Sequence, residues 1–324
     1  MTGSTDHPRV AVFGGAGFLG SFVADALTEQ GLDVIIFDRV PSPYLRKGQT
    51  GVVGDILDTA AVEAAVEGCD VIYNYAGIAD IGEASEAPLE TVRVNILGNT
   101  VLLEAARKLG VKRFMFASTL YVYSSSGGFY RSTKQACELI IEDYQRLFGL
   151  PYTILRYGSL YGPRSGEANW IWCMLRDALV SGKVIRVGDG DEIREFIHVW
   201  DAASSSVHVL SSEFSNAHVI ISGQQSVRVR DLLNTVQDML GGRLEVEYSP
   251  TPEAEASAAA SLHYKVSPYS FTPRIARKIV RPSYVDLGQG LLDLMGHVHR
   301  AEGGFTEAGD VLVGDAGKQS GHRG

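Results

Sequence analysis

The stretch Arg9-Val-Ala-Val-Phe-Gly-Gly-Ala-Gly-Phe-Leu-Gly20 joins an apolar run to three spaced glycines and leads into a helix-like segment, Ser21 to Gln30. The β-branched and aromatic run predicts a buried strand. Gly14 permits a tight turn, Gly17 lets a pyrophosphate approach the backbone, and Gly20 allows close helix packing. Strand, glycine turn and helix in this order predict a dinucleotide site with the pyrophosphate at the helix amino terminus.

A second predicted strand, Asp33 to Phe37, ends at Asp38. A carboxylate at this position can accept hydrogen bonds from the adenosine ribose hydroxyls and would repel a 2′-phosphate. The sequence therefore favours NAD over NADP, although Arg39 keeps the second cofactor open.

Predicted strands and helices continue to alternate along the chain. The strands are 51–54, 71–75, 112–117 and 151–157, and the helices are 58–67, 88–109 and 130–147. Such alternation predicts an α/β fold of Rossmann type, with a doubly wound parallel sheet that binds ligands at the carboxyl ends of its strands. Asp55, Ala76-Gly77 and Thr119 fall at such ends.

Three reactive side chains lie close together in the sequence at Thr119, Tyr130 and Lys134. Tyr130 and Lys134 are four residues apart on a predicted helix and share one face. An ammonium ion beside a phenol favours the phenolate, so we expect Lys134 to lower the pKa of Tyr130 and make it a base near neutral pH. Thr119 would hydrogen-bond the same substrate hydroxyl. From the spacing alone, a half-exposed ring beside a solvated amine remains the alternative.

Composition excludes several classes of function. The 324 residues carry a net charge of −9, which argues against sequence-independent binding to nucleic acid or to an anionic membrane. No long apolar run or apolar signal core occurs, so we expect a soluble, cytoplasmic protein. Cys69, Cys137 and Cys173 have neither disulfide nor metal-ligand spacing, and no metal site is predicted.

We divide the chain into a mainly NAD-binding domain, 1–160, and a smaller α/β substrate-binding domain, 161–296, with residues of about 188–220 returning to the first. Residues 158–164 and 249–261 are predicted loops, 262–274 resume packing, 285–295 form the last helix, and 297–324 form a disordered tail. Positive charge that could serve a diphosphate concentrates in the second half, although ordinary surface cations are the alternative: Arg164, Arg176, Lys183, Arg186 and Arg194.

An ordered set of motifs resembles the extended short-chain dehydrogenase/reductase family, in its nucleotide-sugar epimerase/dehydratase branch, over about residues 9–296. The motifs are Gly14-Gly-Ala-Gly-Phe-Leu-Gly20, Gly54-Asp55, Ala76-Gly77, Asn95 within 94–98, Thr119 with Val122-Tyr123, Tyr130-x-x-x-Lys134, Leu155-Arg-Tyr157, Tyr161-Gly-Pro-Arg164, and Gly188-Asp-Gly190 before Arg194-Glu-Phe-Ile-His-Val199.

This resemblance implies roles for individual residues. NAD would be bound by Gly14, Gly17, Phe18 and Leu19 at the diphosphate, Asp38 at the adenosine ribose, Asp55 and Ile56 at the adenine, Ala76 and Gly77 along the cofactor, Lys134 at the nicotinamide ribose, and also by Arg39, Asn95, Tyr130 and Tyr157. A nucleotide-diphosphate sugar would be bound by Ile78, Thr119, Leu120, Tyr121, Tyr130, Ser159 and Arg194, the last at the diphosphate. The family also tends to dimerise through the helices that begin here near Pro88 and Tyr130.

Departures from the family pattern narrow the reaction. Dehydratases carry Asp-Glu after the hydroxyl residue, and decarboxylases a nearby glutamate, whereas this chain has Leu120 and Tyr121. Ala79 replaces a usual lysine in a loop otherwise similar to that of UDP-galactose 4-epimerases. Ser159 replaces a usual asparagine, and the Arg-x-Gly-Asp element expected near 262–266 is not recognisable.

The resulting hypothesis is an NAD-dependent nucleotide-sugar epimerase, acting at C4 through a transient 4-keto sugar. A net NAD-dependent ketosugar reductase or dehydrogenase, and a non-catalytic NAD-binding protein, remain alternatives. Only ten residues, Leu120 to Phe129, separate Thr119 from Tyr130, which is shorter than usual in the family, and we predict an open sugar pocket.

Overall fold

A parallel β-sheet forms the centre of the structure, a computed structural model that describes residues 8–249 and 275–303. The strands in these ranges are β1 (Arg9–Phe13), β2 (Asp33–Asp38), β3 (Gln49–Val53), β4 (Val71–Asn74), β5 (Arg113–Thr119), β6 (Tyr152–Tyr157), β7 (Ser159–Tyr161), β8 (Lys183–Val187), β9 (Ile193–His198), β10 (Ala217–Ile221), β11 (Ser226–Arg228), β12 (Glu245–Ser249) and β13 (Arg277–Lys278). The α-helices are α1 (Phe18–Glu29), α2 (Thr59–Val66), α3 (Ile81–Glu86), α4 (Pro88–Val92), α5 (Gly98–Leu109), α6 (Gly128–Phe148), α7 (Trp170–Val180), α8 (Val199–His208), α9 (Val229–Met239) and α10 (Leu287–Ala301).

The main sheet has the strand order β13-β10-β6-β5-β4-β1-β2-β3, and every neighbouring pair is parallel. Helices α1 and α8 cover one face through a core that includes Phe22 and Ala202. Helices α2, α5 and α6 cover the other face, where Leu102 and Ile141 are buried. The strand order reverses between β1 and β4, which opens a crevice at their carboxyl ends.

A smaller unit lies beside this sheet. It contains β11-β9-β7 and the parallel pair β12-β8, and it buries a separate core between α7, α9 and α10. Strand β10 pairs with β6, and α8 packs against α1, so the chain re-enters the main sheet after β9. The predicted α/β fold class is confirmed.

Some predicted element boundaries are wrong. Residues 158–164 are not all loop, because Ser159–Tyr161 pairs in parallel with β9. The last helix does not end at Met295 but runs to Ala301, since the fully buried Val298 extends its apolar face. The tail predicted for 297–324 therefore begins too early, and residues 304–324 lie outside the described ranges. The loop predicted for 249–261 and the packing predicted for 262–274 lie almost entirely outside them as well.

The helix predicted for residues 88–109 contains a π-helical segment, Arg93–Leu97, between α4 and α5. Helix α3 was not predicted. No helix in the described part of the chain is long and apolar enough to cross a membrane.

Candidate active site

The glycine turn after β1 lies in the crevice between β1 and β4. Gly14 has a φ of +77°, and a β-carbon there would lie 2.6 Å from the Ala76 backbone nitrogen. A β-carbon on Gly20 would lie 2.2 Å from the Gly14 carbonyl oxygen. Neither position can carry a side chain without moving the backbone. Gly17 caps α1 without a side-chain hydrogen bond, which leaves the first amides of α1, including those of Phe18 and Leu19, directed at the crevice.

A cavity of about 190 Å³ opens beside this turn and is lined by most of the residues predicted to bind the cofactor. These are Gly14, Gly17, Asp38, Arg39, Asp55, Ile56, Ala76 and Gly77, and Ile78, predicted to bind the substrate, also lies on the wall. The Asp38 carboxylate accepts hydrogen bonds from the backbone nitrogens of Ala16 (3.0 Å) and Arg39 (2.7 Å), which fix its position. Tyr75 and Glu90 also line the cavity and were not predicted, although Tyr75 directly follows a strand end.

Asn95 has a different role from the predicted cofactor contact. It lies in the π-helical segment and is 4% exposed. Its Oδ1 accepts a hydrogen bond from the Ile78 nitrogen (2.7 Å), and its Nδ2 donates to the Ile78 oxygen (3.0 Å). Both side-chain groups are used on the backbone of one residue, so Asn95 braces the loop Ala76–Ile78 rather than lining the cavity.

Tyr157 also differs from its predicted role. Its hydroxyl lies 2.6 Å from the Ser206 Oγ and 3.0 Å from the Tyr75 Oη. A buried hydroxyl requires partners within the protein, and these two occupy it. The side chain therefore belongs to the core and not to the cavity wall.

Thr119 and Tyr130 meet at the end of β5. The Thr119 hydroxyl lies close enough to the Tyr130 phenol to affect its pKa, and the Thr119 Oγ1 accepts a hydrogen bond from the Tyr121 nitrogen at 3.2 Å. That bond caps a 3₁₀ turn, Leu120–Tyr123, whose Tyr121 ring packs edge-on against the Tyr130 ring with 6.3 Å between centroids. Helix α6 begins at Gly128, so Tyr130 lies in its first turn.

Lys134 lies one turn further along α6, beneath the Tyr130 ring. Its Nζ is 5.9 Å from the centroid of that ring and 4.8 Å from the centroid of Phe116. The ammonium group donates a hydrogen bond to the Ala117 oxygen at 2.7 Å. Burial lowers the pKa of Lys134 to about 8, against the opposing influence of Cys137 and Glu138.

The expected lowering of the Tyr130 pKa by Lys134 is wrong for this structure. Burial raises the pKa of Tyr130 to about 12, and the neighbouring Thr119 hydroxyl only limits the increase. The cost of placing a phenolate in an apolar site exceeds the benefit of the nearby cation, whose ammonium is directed at Ala117. The hydroxyl is therefore protonated at neutral pH.

The residues predicted to bind substrate lie in different environments. Leu120 is 2% exposed and packs with Ile220, so its side chain is part of a core cluster. Ser159 lies in β7, paired with Phe196, and not in the expected loop. Arg194 lies in β9 and is half-buried.

The cations that could serve a diphosphate separate into two groups. Arg164 pairs with Asp25 at 2.9 Å, Arg176 with Glu167 and Asp177, and Lys183 with Glu245 and Glu247, which favours the alternative of ordinary surface cations for these three. These three are neutralised by acidic neighbours. Arg186 pairs with Glu192 and stacks on Trp170, and burial and then the charge of Arg194 lower its pKa. Arg186 and Arg194 are therefore near one another.

His198 is buried at the end of β9. Burial lowers its pKa to about 4, its Nδ1 accepts a hydrogen bond from the Trp200 nitrogen at 3.4 Å, and its ring lies edge-on to Tyr161. Within residues 8–249 and 275–303, no three His, Cys, Asp or Glu side chains cluster as metal ligands.

Comparison with known proteins agrees with this geometry. The model of the NAD dependent epimerase/dehydratase family matches residues 10–222. A putative UDP-glucose 4-epimerase of Methanocaldococcus jannaschii is 29% identical over 267 residues, which cover 76% of this chain and 87% of that protein. A UDP-N-acetyl-alpha-D-glucosaminuronate decarboxylase of Bacillus cytotoxicus is 27% identical, over 75% of this chain and 83% of its own length. The solved structure of Thermus thermophilus UDP-glucose 4-epimerase in complex with NAD is 26% identical and superimposes with a TM-score of 0.72, covering 90% of this chain and 99% of that one.

Proposed function

This chain belongs to the NAD-dependent epimerase/dehydratase family, and from that membership and the site geometry we propose that it epimerises a nucleotide-diphosphate sugar at C4. The neighbouring side chains of Thr119 and Tyr130, with Lys134 one turn further along the same helix, support this proposal most directly. A hydroxyl acceptor, a phenol and a cation are the groups that alcohol oxidation and its reversal require.

The cofactor is NAD, and the crevice fits it. We assign the diphosphate to the amino terminus of α1 at Gly17, because no side chain obstructs that approach. Asp38 takes the adenosine ribose, and Asp55 and Ile56 border the adenine. Lys134 takes the nicotinamide ribose. NAD supplies, when bound, a hydride acceptor and a positively charged ring.

In the proposed reaction Tyr130 accepts the proton of the sugar hydroxyl as the carbon gives up its hydride. Thr119 holds the same hydroxyl in place. The ketone then turns over, the hydride returns to the opposite face, and Tyr130 returns the proton, so no net oxidation occurs. Because the pKa of Tyr130 is about 12, a phenolate requires nearby positive charge. Lys134 is already in place at that pKa, so the further positive charge would come from the nicotinamide ring of bound NAD.

The proposal excludes water elimination and decarboxylation. Those reactions use carboxylates next to the hydroxyl residue in related enzymes, and here the positions hold the buried Leu120 and the aromatic Tyr121.

Arg194, with Arg186 near it, is our candidate for binding the substrate diphosphate.

Replacement of Tyr130 by Phe tests the assignment. The holoenzyme is incubated with UDP-glucose and with a panel of other UDP-, GDP-, CDP- and TDP-sugars, and inversion is followed by NMR. We expect Tyr130→Phe to lower kcat by about 10²–10⁴-fold while NAD remains bound, because the general base is lost. Tyr144→Phe is the matched control, since Tyr144 lies on the same helix and its hydroxyl bonds Glu104 instead (2.5 Å).

Substantial activity of Tyr130→Phe would contradict the assignment. Net consumption of added NADH by the wild-type protein would identify a reductase instead of an epimerase. NAD binding without any turnover of the panel would indicate a non-catalytic protein.

We also propose a homodimer and a cytoplasmic location. Exposed apolar side chains on the helices that begin at Pro88 and Gly128 support the dimer, among them Leu97 and Leu139, each 51% exposed. All three cysteines are unpaired thiols, as is typical of a reducing compartment.

A further inference from the structure

A buried ion pair lies directly behind the reacting side chains. Arg156, on β6, is fully buried, and its guanidinium donates to the Glu138 carboxylate on α6 through Nε (3.0 Å) and Nη2 (2.6 Å). Taking two charges out of water costs several kcal/mol per ion, so a buried pair is weak evidence of a stabilising role. The other contacts of this pair indicate what it does instead.

One set of contacts reaches the turn after Thr119. The Arg156 Nη1 donates to the Tyr123 hydroxyl at 2.6 Å, and the guanidinium lies 4.8 Å from the centroid of the same ring. Tyr123 is the last residue of the 3₁₀ turn that Thr119 caps. Arg156 therefore fixes the far end of a four-residue turn whose near end holds the Thr119 hydroxyl.

A second set of contacts reaches the strand and the helix. Ser118, the residue before Thr119, donates to the Glu138 Oε1 at 2.6 Å. Glu138 lies one helical turn after Lys134 on α6. One carboxylate thus joins the end of β5 to the helix that carries Tyr130 and Lys134.

Because the segment between Thr119 and Tyr130 is short, the contacts of Arg156 and Glu138 act on most of it. Its ten residues comprise the 3₁₀ turn, a few connecting residues and the start of α6. Arg131 donates to the Ser124 oxygen at 3.1 Å, which ties the connection to α6. Gln135 donates to the Val122 oxygen at 2.9 Å and ties the middle of the turn to the same helix, while Thr119 and Tyr123 hold its two ends.

We propose that Arg156, held by Glu138, is a positioning residue that acts through the Tyr123 hydroxyl to hold the Leu120–Tyr123 turn and so to aim Thr119 at the sugar. This inference rests on the proposed function for its kinetic consequence. Its structural consequence, an ordered turn, does not depend on the substrate.

The test compares two substitutions of the same kind within one network. Tyr123→Phe removes the hydrogen bond to Arg156 and keeps the ring. Tyr152→Phe removes a hydroxyl at the far side, where Tyr152 lies 3.5 Å from the Nε2 of His218, which in turn contacts Arg156 through its Nδ1 at 3.0 Å. Tyr152 is in β6, and among the residues described its hydroxyl makes no hydrogen bond to the turn, so it serves as the control.

Both holoenzymes are assayed with UDP-glucose, or with the sugar of the panel that the wild type inverts. We expect Tyr123→Phe to lower kcat by about 10-fold or more with KM within about two-fold, because small displacements of a reacting group are costly. The isotope effect of deuterium at the reacting carbon should rise, since hydride transfer becomes slower relative to other steps. Tyr152→Phe should stay within about two-fold of the wild type.

Hydrogen exchange measured by mass spectrometry provides a reading that needs no substrate. Amides of residues 120–124 should exchange about 10-fold faster in Tyr123→Phe than in the wild type, and at the wild-type rate in Tyr152→Phe. The melting temperature and the NAD content should be unchanged in both variants. Equal exchange in the two variants would overturn the proposal, whatever the wild type catalyses. A loss of kcat matched by an equal loss of bound NAD or of folded protein would also overturn it, since the role would then be structural. If residues 120–124 exchange faster in Tyr123→Phe only, but the wild type has no epimerase activity, the proposed function alone would be rejected.

Discussion

Lys134 is the residue where the requirements of folding and of the proposed chemistry conflict most clearly. Lys134 is 6% exposed, and burial lowers its pKa from 10.5 to about 8. At pH 7 the group is charged in both the folded and the unfolded chain, so the folded state bears the full cost of burying it. A shift of this size corresponds to about 3 kcal/mol.

We therefore predict that Lys134→Met abolishes turnover yet raises the free energy of unfolding by about 1–3 kcal/mol at pH 7. The folded state binds fewer protons than the unfolded state between pH 8 and 10.5, so the wild type gains stability over that window and the advantage of the variant shrinks. Urea unfolding of NAD-stripped protein at pH 7 and pH 9 measures both effects. Lys183→Met is the control and should not stabilise, because that ammonium pairs with Glu245 and Glu247. A Lys134→Met variant less stable than the wild type at pH 7 would refute the argument.

The reactive residues illustrate how far sequence reasoning reaches. The spacing of Tyr130 and Lys134 predicts their neighbouring positions, because helical geometry alone determines them. The same spacing predicted the wrong direction for the Tyr130 pKa, because burial depends on Tyr121 and other residues that pack from elsewhere. Arg156 was visible as a charged residue in an apolar strand, which is a signal for a buried pair, but its partner Glu138 is identified only by the packing of α6 on the sheet.

At the scale of elements, the helical region from Pro88 to Leu109 shows a feature that periodicity cannot detect. The π-helical segment Arg93–Leu97 interrupts it and directs Asn95 at the loop Ala76–Ile78. The hydrogen bonds of a π-helix span one residue more than those of an α-helix, and short π-helical segments inside α-helices are frequent at functional sites. The apolar pattern predicted the helix, whereas the direction of Asn95 required the structure.

We predict that Asn95→Ala weakens NAD binding by about 10-fold, or about 1.4 kcal/mol, because both backbone groups of Ile78 lose their partner and the cavity wall loosens. Isothermal titration of NAD-stripped protein measures the dissociation constant. Thr100→Ala is the control, since its hydroxyl bonds the Ile96 oxygen in the adjoining π-helical segment and, among the residues described, makes no bond to the loop Ala76–Ile78. An unchanged dissociation constant in Asn95→Ala would mean that the loop keeps its shape without the brace.

At the scale of the whole molecule, the main sheet was predictable and the smaller unit was less so. Strands β1, β2, β4, β5 and β6 are separate apolar runs, so local pattern and final position agree, whereas β3 follows β2 without an intervening helix and is largely exposed. Strands β7 and β11 have three residues each and exist only because each pairs with β9 from a distance in the chain. Their short, mixed sequences resemble loops, and only tertiary pairing distinguishes them.

The surface of the whole molecule predicts its assembly. Leu139 on α6 and Leu97 beside α5 are each 51% exposed, and the two helices are joined by the bond between Tyr144 and Glu104. Apolar side chains on such a face are favourably buried against a second copy. We expect sedimentation analysis to give about twice the chain mass of 35.0 kDa for the wild type and about that single mass for Leu139→Glu, because a buried unpaired carboxylate opposes association. Ile185→Glu is the control, at a 62% exposed position on β8, and should remain dimeric. If Ile185→Glu is monomeric and Leu139→Glu is dimeric, the interface lies on the smaller unit instead.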